Sequence, residues 1–213
     1  MCSGFAVELR VLCLRIAFCL CFEIFNHSNI SYYLGNWPPP LGIEYVIDKV
    51  SIIPIMIVSV IGLIATLYAH NFFILEIDKN LVSKTYSLWL LTIAGLMGLI
   101  TTADAFNLFV FLEISSLSAV ALVALGSKMD RKALIAGYNY LILGAVGATF
   151  YVIGVGLLYG VTGTLNMSDL AQKIPALGLN KSVIVAFTFM MLGIMVKAAV
   201  FPLHIWLPNA YAY

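Results

Sequence analysis

The stretch SVIVAFTFMMLGIMVKAAVFPLHIWLPNAYAY, residues 182–213, decides the fold. It joins a membrane-length apolar run that contains a single lysine, Lys197, to a segment in which Pro202 and Pro208 enclose a histidine and a tryptophan. A lone charge inside such a run is typical of membrane proteins, where ionisable side chains are costly and mark function. Proline lacks the backbone N–H and clashes with the preceding turn, so we expect the last helix to break at Pro202.

The composition of the whole chain indicates the same class of protein. Of its 213 residues, 62% are hydrophobic and 10% are charged, whereas soluble domains carry about 25% charged residues. The net charge is +1, and without a basic stripe nothing points to nucleic acid. The sequence contains no Gly-rich phosphate loop, nucleophile elbow or cofactor fingerprint, so we expect no cofactor. We predict an all-α, polytopic transmembrane bundle forming one membrane domain, residues 1–213.

Six apolar segments have the length needed to cross a hydrocarbon core of about 30 Å. The first carries four charged residues, and a cleaved signal peptide is the alternative interpretation. No small-x-small cleavage site follows its core, and Glu23 comes directly after it, which favours a retained helix. The fifth is rich in glycine, which lets helices approach closely. The predicted spans are 7–25, 51–71, 85–102, 105–126, 133–161 and 182–200.

The four cysteines all lie in the first helical region. No histidine or carboxylate residues are arranged near them in the sequence so as to complete a metal site. We therefore interpret them as apolar helix residues. Their positions are Cys2, Cys13, Cys19 and Cys21.

The segments between the spans predict how the chain lies across the membrane. Residues 26–49 read as two short extended pieces around a Pro-rich turn, which predicts a small extramembrane β-hairpin that, with the first span, makes up residues 1–50. Residues 162–179 read as a polar linker on the same side. Short charged loops at 76–84 and 127–132 lie on the other side with Arg10 and Arg15, so the positive-inside rule predicts that both termini are cytoplasmic.

Glu113 and Lys197 are ionisable residues placed deep in predicted spans. Glu113 lies roughly 13 Å along its helix from Asp104, near the bilayer centre, at about 1.5 Å per residue. A charge at that depth costs several kcal/mol unless it is paired or hydrated, and a glutamate and a lysine on neighbouring helices each favour the charged form of the other. Two hypotheses remain open: a proton relay, in which movement of the lysine changes the proton affinity of both groups, and a static ion pair that fixes packing.

Other polar residues near these two could extend a pathway. Asp104 is either a helix N-cap or an entrance for a proton or cation. His204 either titrates near neutral pH or caps carbonyl groups freed by the helix break. A relay also needs water, and seven residues could line a hydrated path or instead bond between helices: Ser115, Ser116, Ser118, Tyr138, Asn139, Tyr140 and Thr149.

Four stretches of the sequence resemble a known family. They are GNWPPPLGIEYVID (35–48), TADAFNLFVFLEISS (102–116), LLYGVTGTLNMSDLA (157–171) and VKAAVFPLHIWLPNA (196–210). The pattern K-x4-P-x-H-x-W-L-P after an apolar helix is similar to the broken-helix signature of antiporter-like subunits. These occur in Mrp sodium/proton antiporters, in membrane-bound (group 4) hydrogenases with their sulfane-reducing relatives, and in respiratory complex I. The Trp-Pro hairpin and the residues KAAVFP look more like the Mrp and hydrogenase branch than complex I.

The resemblance implies both a role for the buried charges and a setting for the chain. The family's central glutamate and lysine fall on Glu113 and Lys197, and the implied partners are other membrane subunits, a peripheral redox arm and lipid. Members carry two inverted repeats, and this chain resembles the early helices and the first repeat only. We therefore expect a shortened subunit that supplies a proton or cation half-channel. The alternatives are a structural remnant that seals neighbouring subunits, an independent transporter, and a fragment of a longer protein.

Overall fold

The computed structural model describes residues 2–26, 29–76, 79–126, 131–178 and 180–212, and helices dominate it. After α1 come two short strands separated by a 3₁₀ turn, and the remaining helices follow in order. The elements are α1 Cys2–Asn26, β1 Ile30–Tyr33, β2 Glu44–Ile47, α2 Ile52–Glu76, α3 Lys79–Thr101, α4 Ala105–Leu125, α5 Lys132–Thr162, α6 Met167–Ala176, α7 Lys181–Lys197 and α8 Trp206–Ala212.

The predicted fold class, a helical membrane bundle with a small hairpin and a broken last helix, is confirmed. Within the part of the chain that the structure describes, four helices are long and apolar enough to cross a membrane: Ile52–Ala69, Leu81–Thr101, Ala105–Leu125 and Lys132–Thr162. The crossing of α1, which carries four charges, and of α7, which has 17 residues, remains a prediction.

The predicted hairpin is present as an antiparallel pair in which Ile30 faces Ile47 and Tyr33 faces Glu44. The chain then enters α2 through Asp48, whose carboxylate accepts hydrogen bonds from the Ser51 backbone N–H at 2.7 Å and the Ser51 hydroxyl at 2.8 Å. These hydrogen bonds hold the pKa of the Asp48 carboxyl below its ordinary value. The hairpin is thereby fixed to the first turn of a spanning helix.

Two predicted connections are wrong because the structure contains helix there. The linker expected at 162–179 contains α6, whose N-cap Asn166 accepts from the Asp169 backbone N–H at 3.0 Å. Pro175 is the penultimate residue of α6. A proline at this position ends the helix but does not prevent the preceding turns from forming. The charged loop expected at 76–84 is largely helix, since α3 begins at Lys79. Of the basic loop at 127–132, residues 127–130 lie outside the described residues.

Close packing of α5 against α7 places the end of α7 in the bundle, as the glycine content of α5 predicts. A Cβ atom added at Gly193 of α7 would lie 2.5 Å from the backbone oxygen of Gly147 and 2.7 Å from the backbone nitrogen of Tyr151, both in α5. Such distances admit only a hydrogen atom. The two backbones therefore touch, and Lys197 follows one turn after this contact.

Candidate functional site

The side chain of Lys197 forms the centre of the site. Its Nζ lies 2.9 Å from Oε1 of Glu113 and donates a hydrogen bond of 2.8 Å to the hydroxyl of Ser116. Glu113 and Ser116 are three residues apart on α4 and therefore share one face of that helix. The structure thus brings together the two residues that the sequence analysis selected for their positions deep in predicted spans. The Ser116 hydroxyl is a third partner.

The pair lies inside the bundle, well away from the start of α4 and the start of α5. From Ala105, where α4 begins, to Glu113 the helix rises roughly 12 Å, at 1.5 Å per residue. Lys197 Nζ is 3.7 Å from the position that a Cβ of Gly144 would take, and Gly144 is roughly 18 Å along α5 from Lys132. The side chains of Lys197 and Glu113 are 11% and 25% exposed. The positions along α4 and α5 therefore both place the pair in the middle part of long apolar helices.

The helix break begins directly at the lysine. α7 ends at Lys197, and Ala199 adopts a left-handed conformation with φ of 51° before the turns that contain Pro202. Pro208 occupies the third position of α8, where the missing N–H is not needed by the helix. Lys197 is therefore the last helical residue before a non-helical segment.

Trp206 stabilises the break by two contacts. Its indole N–H donates to the backbone oxygen of Val196 at 2.9 Å, and its ring stacks on Tyr140 of α5 with centroids 4.3 Å apart and an interplanar angle of 9°. The hydrogen bond caps a carbonyl near the end of α7, which was one of the two roles considered for His204. Sequence reasoning missed Trp206 as a cap, and the signal for it was an indole nine residues after the lysine.

His204 is not in hydrogen-bond contact with the ion pair. Its ring lies 5.5 Å from that of Phe201, and its Nδ1 is buried without a hydrogen-bond partner. Titration of His204 therefore stays a prediction.

Asp104 lies directly before the first residue of α4, away from the ion pair. It is the N-cap of α4 and accepts from the backbone N–H of Asn107 at 2.7 Å. Asp104 belongs to a junction, here called the clasp. In the clasp, residues 102–105 lie between β2 on one side and residues 164–167 on the other. The alternative role of Asp104 as an ion entrance stays a prediction.

Backbone hydrogen bonds on both sides hold the clasp together. Ala103 N–H donates to the oxygen of Glu44, and Ala105 N–H donates to the oxygen of Leu165, each at 2.9 Å. The Asn166 amide donates to the Glu44 carboxylate at 2.8 Å. The hairpin is therefore joined both to the start of α4 and to the segment before α6.

A metal centre is not part of this arrangement. Among the residues that the structure describes, no three His, Cys, Asp or Glu side chains come together as metal ligands. The groups that hydrogen bond at the site are a carboxylate, an ammonium group and one hydroxyl.

Comparison with known proteins assigns the chain to a family. The family model described as NADH:quinone oxidoreductase/Mrp antiporter, TM, matches residues 102–213, which include Glu113, Lys197 and the helix break. The chain belongs to this family. It is therefore a membrane-embedded chain, and the resemblance stated above is confirmed.

Two curated relatives represent both branches of the family. The chain is 48% identical over 182 residues to NADH-quinone oxidoreductase subunit N of Desulforudis audaxviator, covering 85% of this chain and 36% of the relative. It is 30% identical over 209 residues to a Na(+)/H(+) antiporter subunit of Alkalihalophilus pseudofirmus, covering 98% and 41%. The chain thus spans well under half the length of these relatives. The higher identity to the oxidoreductase relative does not favour the Mrp branch over complex I.

Solved structures of the family share the fold. A chain of the membrane-bound sulfane sulfur reductase, an archaeal respiratory membrane complex, superposes with a TM-score of 0.86 at 34% identity over 98% of this chain and 42% of that one. A chain of the Mrp complex from Dietzia sp. gives 0.84 at 26% identity over 99% and 38%. Respiratory complex I from Thermus thermophilus gives 0.73 at 24% identity, which shows the fold alone.

Proposed function

We propose that this chain is an antiporter-like membrane subunit of a multi-subunit, redox-driven ion-translocating complex, and that the Glu113–Lys197 pair forms the charged centre of its proton or cation half-channel. The observation that carries the proposal is the position of Lys197 Nζ, 2.9 Å from Glu113 and 2.8 Å from Ser116. A charge pair at this depth is expensive to keep unless it serves function.

The contacts of Lys197 support a relay better than a static pair. The ammonium group has two partners, a carboxylate and a neutral hydroxyl, so it keeps a hydrogen bond when the carboxylate is protonated. The end of α7 and the left-handed Ala199 directly follow it, which gives the side chain a pivot. Movement of the ammonium group away from Glu113 favours protonation of the carboxyl, and its return favours release of the proton.

The partners of the chain follow from the relatives. The superposed chains come from a sulfane sulfur reductase complex, an Mrp complex and complex I, so we expect this chain to pack against other membrane subunits next to a peripheral redox arm. If the predicted spans all cross the membrane, Arg131 and Lys132 at the start of α5 and the basic residues of α1 lie on the side opposite to the hairpin. From the positive-inside rule we infer that this side, with both termini, is cytoplasmic.

The experiment is ion uptake into vesicles that contain the complex. Glu113→Gln and Lys197→Ala each remove one charge of the pair, and we expect redox-driven uptake of protons or sodium ions to fall at least about tenfold, because proton transfer by a positioned group is worth 10²–10⁴-fold. Asp169→Asn, which breaks an ion pair outside the spans, is the matched control and should leave uptake unchanged.

Assembly has to be measured in the same vesicles. If Glu113→Gln and Lys197→Ala assemble normally and take up ions at the native rate, the half-channel is refuted. The chain would then act by packing and sealing its neighbours. Uptake of protons without sodium, or the reverse, identifies the ion.

A further inference from the structure

A cavity of about 200 Å³ lies between α1, α2 and α3 and reaches β2 of the hairpin. Its walls are mainly apolar and include Ile16 and Leu20 of α1, Ile55 of α2 and Met97 of α3. Ser59 of α2 also lines the cavity. This residue is 1% exposed, and its hydroxyl is buried without a hydrogen-bond partner. Sites for small ligands are typically such apolar spaces with a few placed polar groups.

The guanidinium group of Arg10 lies one helical turn from this cavity. On α1, Arg10 comes three residues before Cys13, which lines the cavity. On α2, the position that a Cβ of Gly62 would take is 3.7 Å from Arg10 Nη1, and Gly62 comes three residues after Ser59. Residues three apart share one face of a helix. Both helices therefore place the guanidinium group at the end of the cavity that points away from the hairpin.

Arg10 has no counter-charge within the part of the chain that the structure describes. It is 3% exposed, its Nε is buried without a hydrogen-bond partner, and the ion pairs there join other residues. Glu8 is exposed, and residues two apart do not face each other on a helix. A guanidinium group keeps its proton in proteins, and an unpaired charge is costly inside a bundle. An anion from outside this chain would therefore bind favourably here.

The depth of Arg10 in the bundle favours one kind of anion. Gly62 lies roughly 15 Å along α2 from Ile52, at 1.5 Å per residue, and this part of α2 is long and apolar enough to cross a membrane. The phosphate of a phospholipid keeps its charge and stays at the membrane surface. A carboxyl group can lose its charge by protonation in apolar surroundings and regain it beside a cation. A single acyl chain with a carboxyl end therefore fits both the charge and the cavity.

We propose that the cavity holds the acyl chain of a fatty acid, whose carboxylate pairs with Arg10 and accepts a hydrogen bond from the Ser59 hydroxyl. The carboxylate supplies the missing counter-charge, and the chain fills the space between the three helices. The bound fatty acid thereby holds α1 against α2 and α3. This site is separate from the Glu113–Lys197 pair and does not depend on the half-channel.

Cys13 lines the cavity and so reports on its occupant. We take the full complex in which Cys13 is the only cysteine left in this chain, and remove lipid from it in detergent. Palmitate at ten times its Kd should slow the reaction of Cys13 with a small thiol reagent roughly tenfold, because the occupied fraction is protected. Hexadecanol, which has the same chain and no charge, should leave the rate nearly unchanged. A matched complex that keeps only the exposed Cys19 should react at the same rate with and without palmitate.

Each other outcome of this labelling counts against the proposal. Equal protection by palmitate and hexadecanol overturns the ion pair with Arg10. Protection by neither overturns the site. Protection by phosphatidylglycerol and not by palmitate assigns the cavity to a phospholipid and overturns the fatty acid.

Arg10→Met tests the charge itself, because it removes the guanidinium group and keeps an unbranched side chain. Palmitate should no longer protect Cys13 in this variant, and less fatty acid should be extracted per complex than from the native protein. If native fatty acid resists removal, Cys13 reacts slowly before palmitate is added, and Arg10→Met should restore fast labelling. Arg15→Met, on an exposed residue of the same helix, is the control and should behave as the native complex. Unchanged protection and fatty acid content in Arg10→Met overturn the role of Arg10.

Discussion

Two ion pairs of this chain have the same length and very different surroundings. Lys197–Glu113 joins α7 to α4 inside the bundle, and Lys173–Asp169 joins two residues four apart on α6; each N–O distance is 2.9 Å. The lysine side chain is 11% exposed in the first pair and 42% exposed in the second. Distance alone therefore does not tell which pair matters to the protein.

The two pairs differ in how well the remaining charge is solvated when its partner is removed. At the surface, water solvates the remaining charge and salt screens it. Inside the bundle the remaining charge is poorly solvated, and loss of one partner of a buried pair costs up to about 3–5 kcal/mol. We therefore expect removal of one charge to cost more in the interior pair than in the surface pair.

The largest effect is expected for Lys197→Ala, because it strands the Glu113 carboxylate. We expect the complex to lose thermal stability and redox-driven uptake together. The double variant Glu113→Gln, Lys197→Ala removes both charges and should recover most of the stability but none of the uptake. Thermal unfolding in detergent and vesicle uptake measure the two. A double variant no more stable than Lys197→Ala would contradict the role of the stranded charge.

The next effect is expected for Gly193→Ala, which tests whether the interior pair depends on close helix packing. The added methyl group meets the backbone of α5 at 2.5 Å, so α7 must shift, at a cost of about 1–3 kcal/mol. Loss of thermal stability and of uptake should follow. Gly156→Ala is the control, since nothing lies within 4 Å of its added atom, and it should be neutral or stabilising. Equal effects of both substitutions would contradict the packing argument.

A smaller effect is expected for Trp206→Phe. This change removes the 2.9 Å hydrogen bond to the Val196 oxygen and keeps an aromatic ring against Tyr140. We expect a loss of about 0.5–1.5 kcal/mol, the usual net worth of one hydrogen bond, and slower uptake because the end of α7 is less fixed. Trp37→Phe, on a residue 63% exposed in the hairpin segment, serves as control. An equal loss of stability in both variants would show that the cap does not matter.

The smallest effect is expected for the surface pair. The hydrogen bond from Lys173 lowers the pKa of the Asp169 carboxyl, so the stabilisation by this pair is present above the ordinary aspartate pKa of about 3.9. It is lost as the pH falls through the lowered pKa of the folded state. Asp169→Asn should therefore be slightly less stable than the native chain at neutral pH and equal to it in acid. Thermal unfolding across this pH range measures the difference, and a gap that persists in acid would contradict the assignment.

The sequence could predict the interior pair because its cost is visible without coordinates. Glu113 and Lys197 interrupt apolar runs, and only a partner or water makes that tolerable. The hairpin was predictable from its prolines. α6 was missed because its polar composition resembles a loop, and only the Asn166 cap and the Asp169–Lys173 contact favour helix. The roles of Trp206 and Tyr140 depend on contact between α8 and α5, which no local pattern encodes.

The separation of Glu113 and Lys197 along the chain has a consequence during synthesis. The two residues are 84 positions apart, and ribosomes add about 5–20 residues per second. For roughly 4 to 17 s after Glu113 is added to the growing chain, the lysine that pairs with it does not yet exist. Meanwhile a nascent α4 must carry its carboxyl group protonated or in contact with water. Because Lys197 is made after Glu113, we expect the carboxyl group of α4 to reach its ion-paired position only after α7 has been inserted.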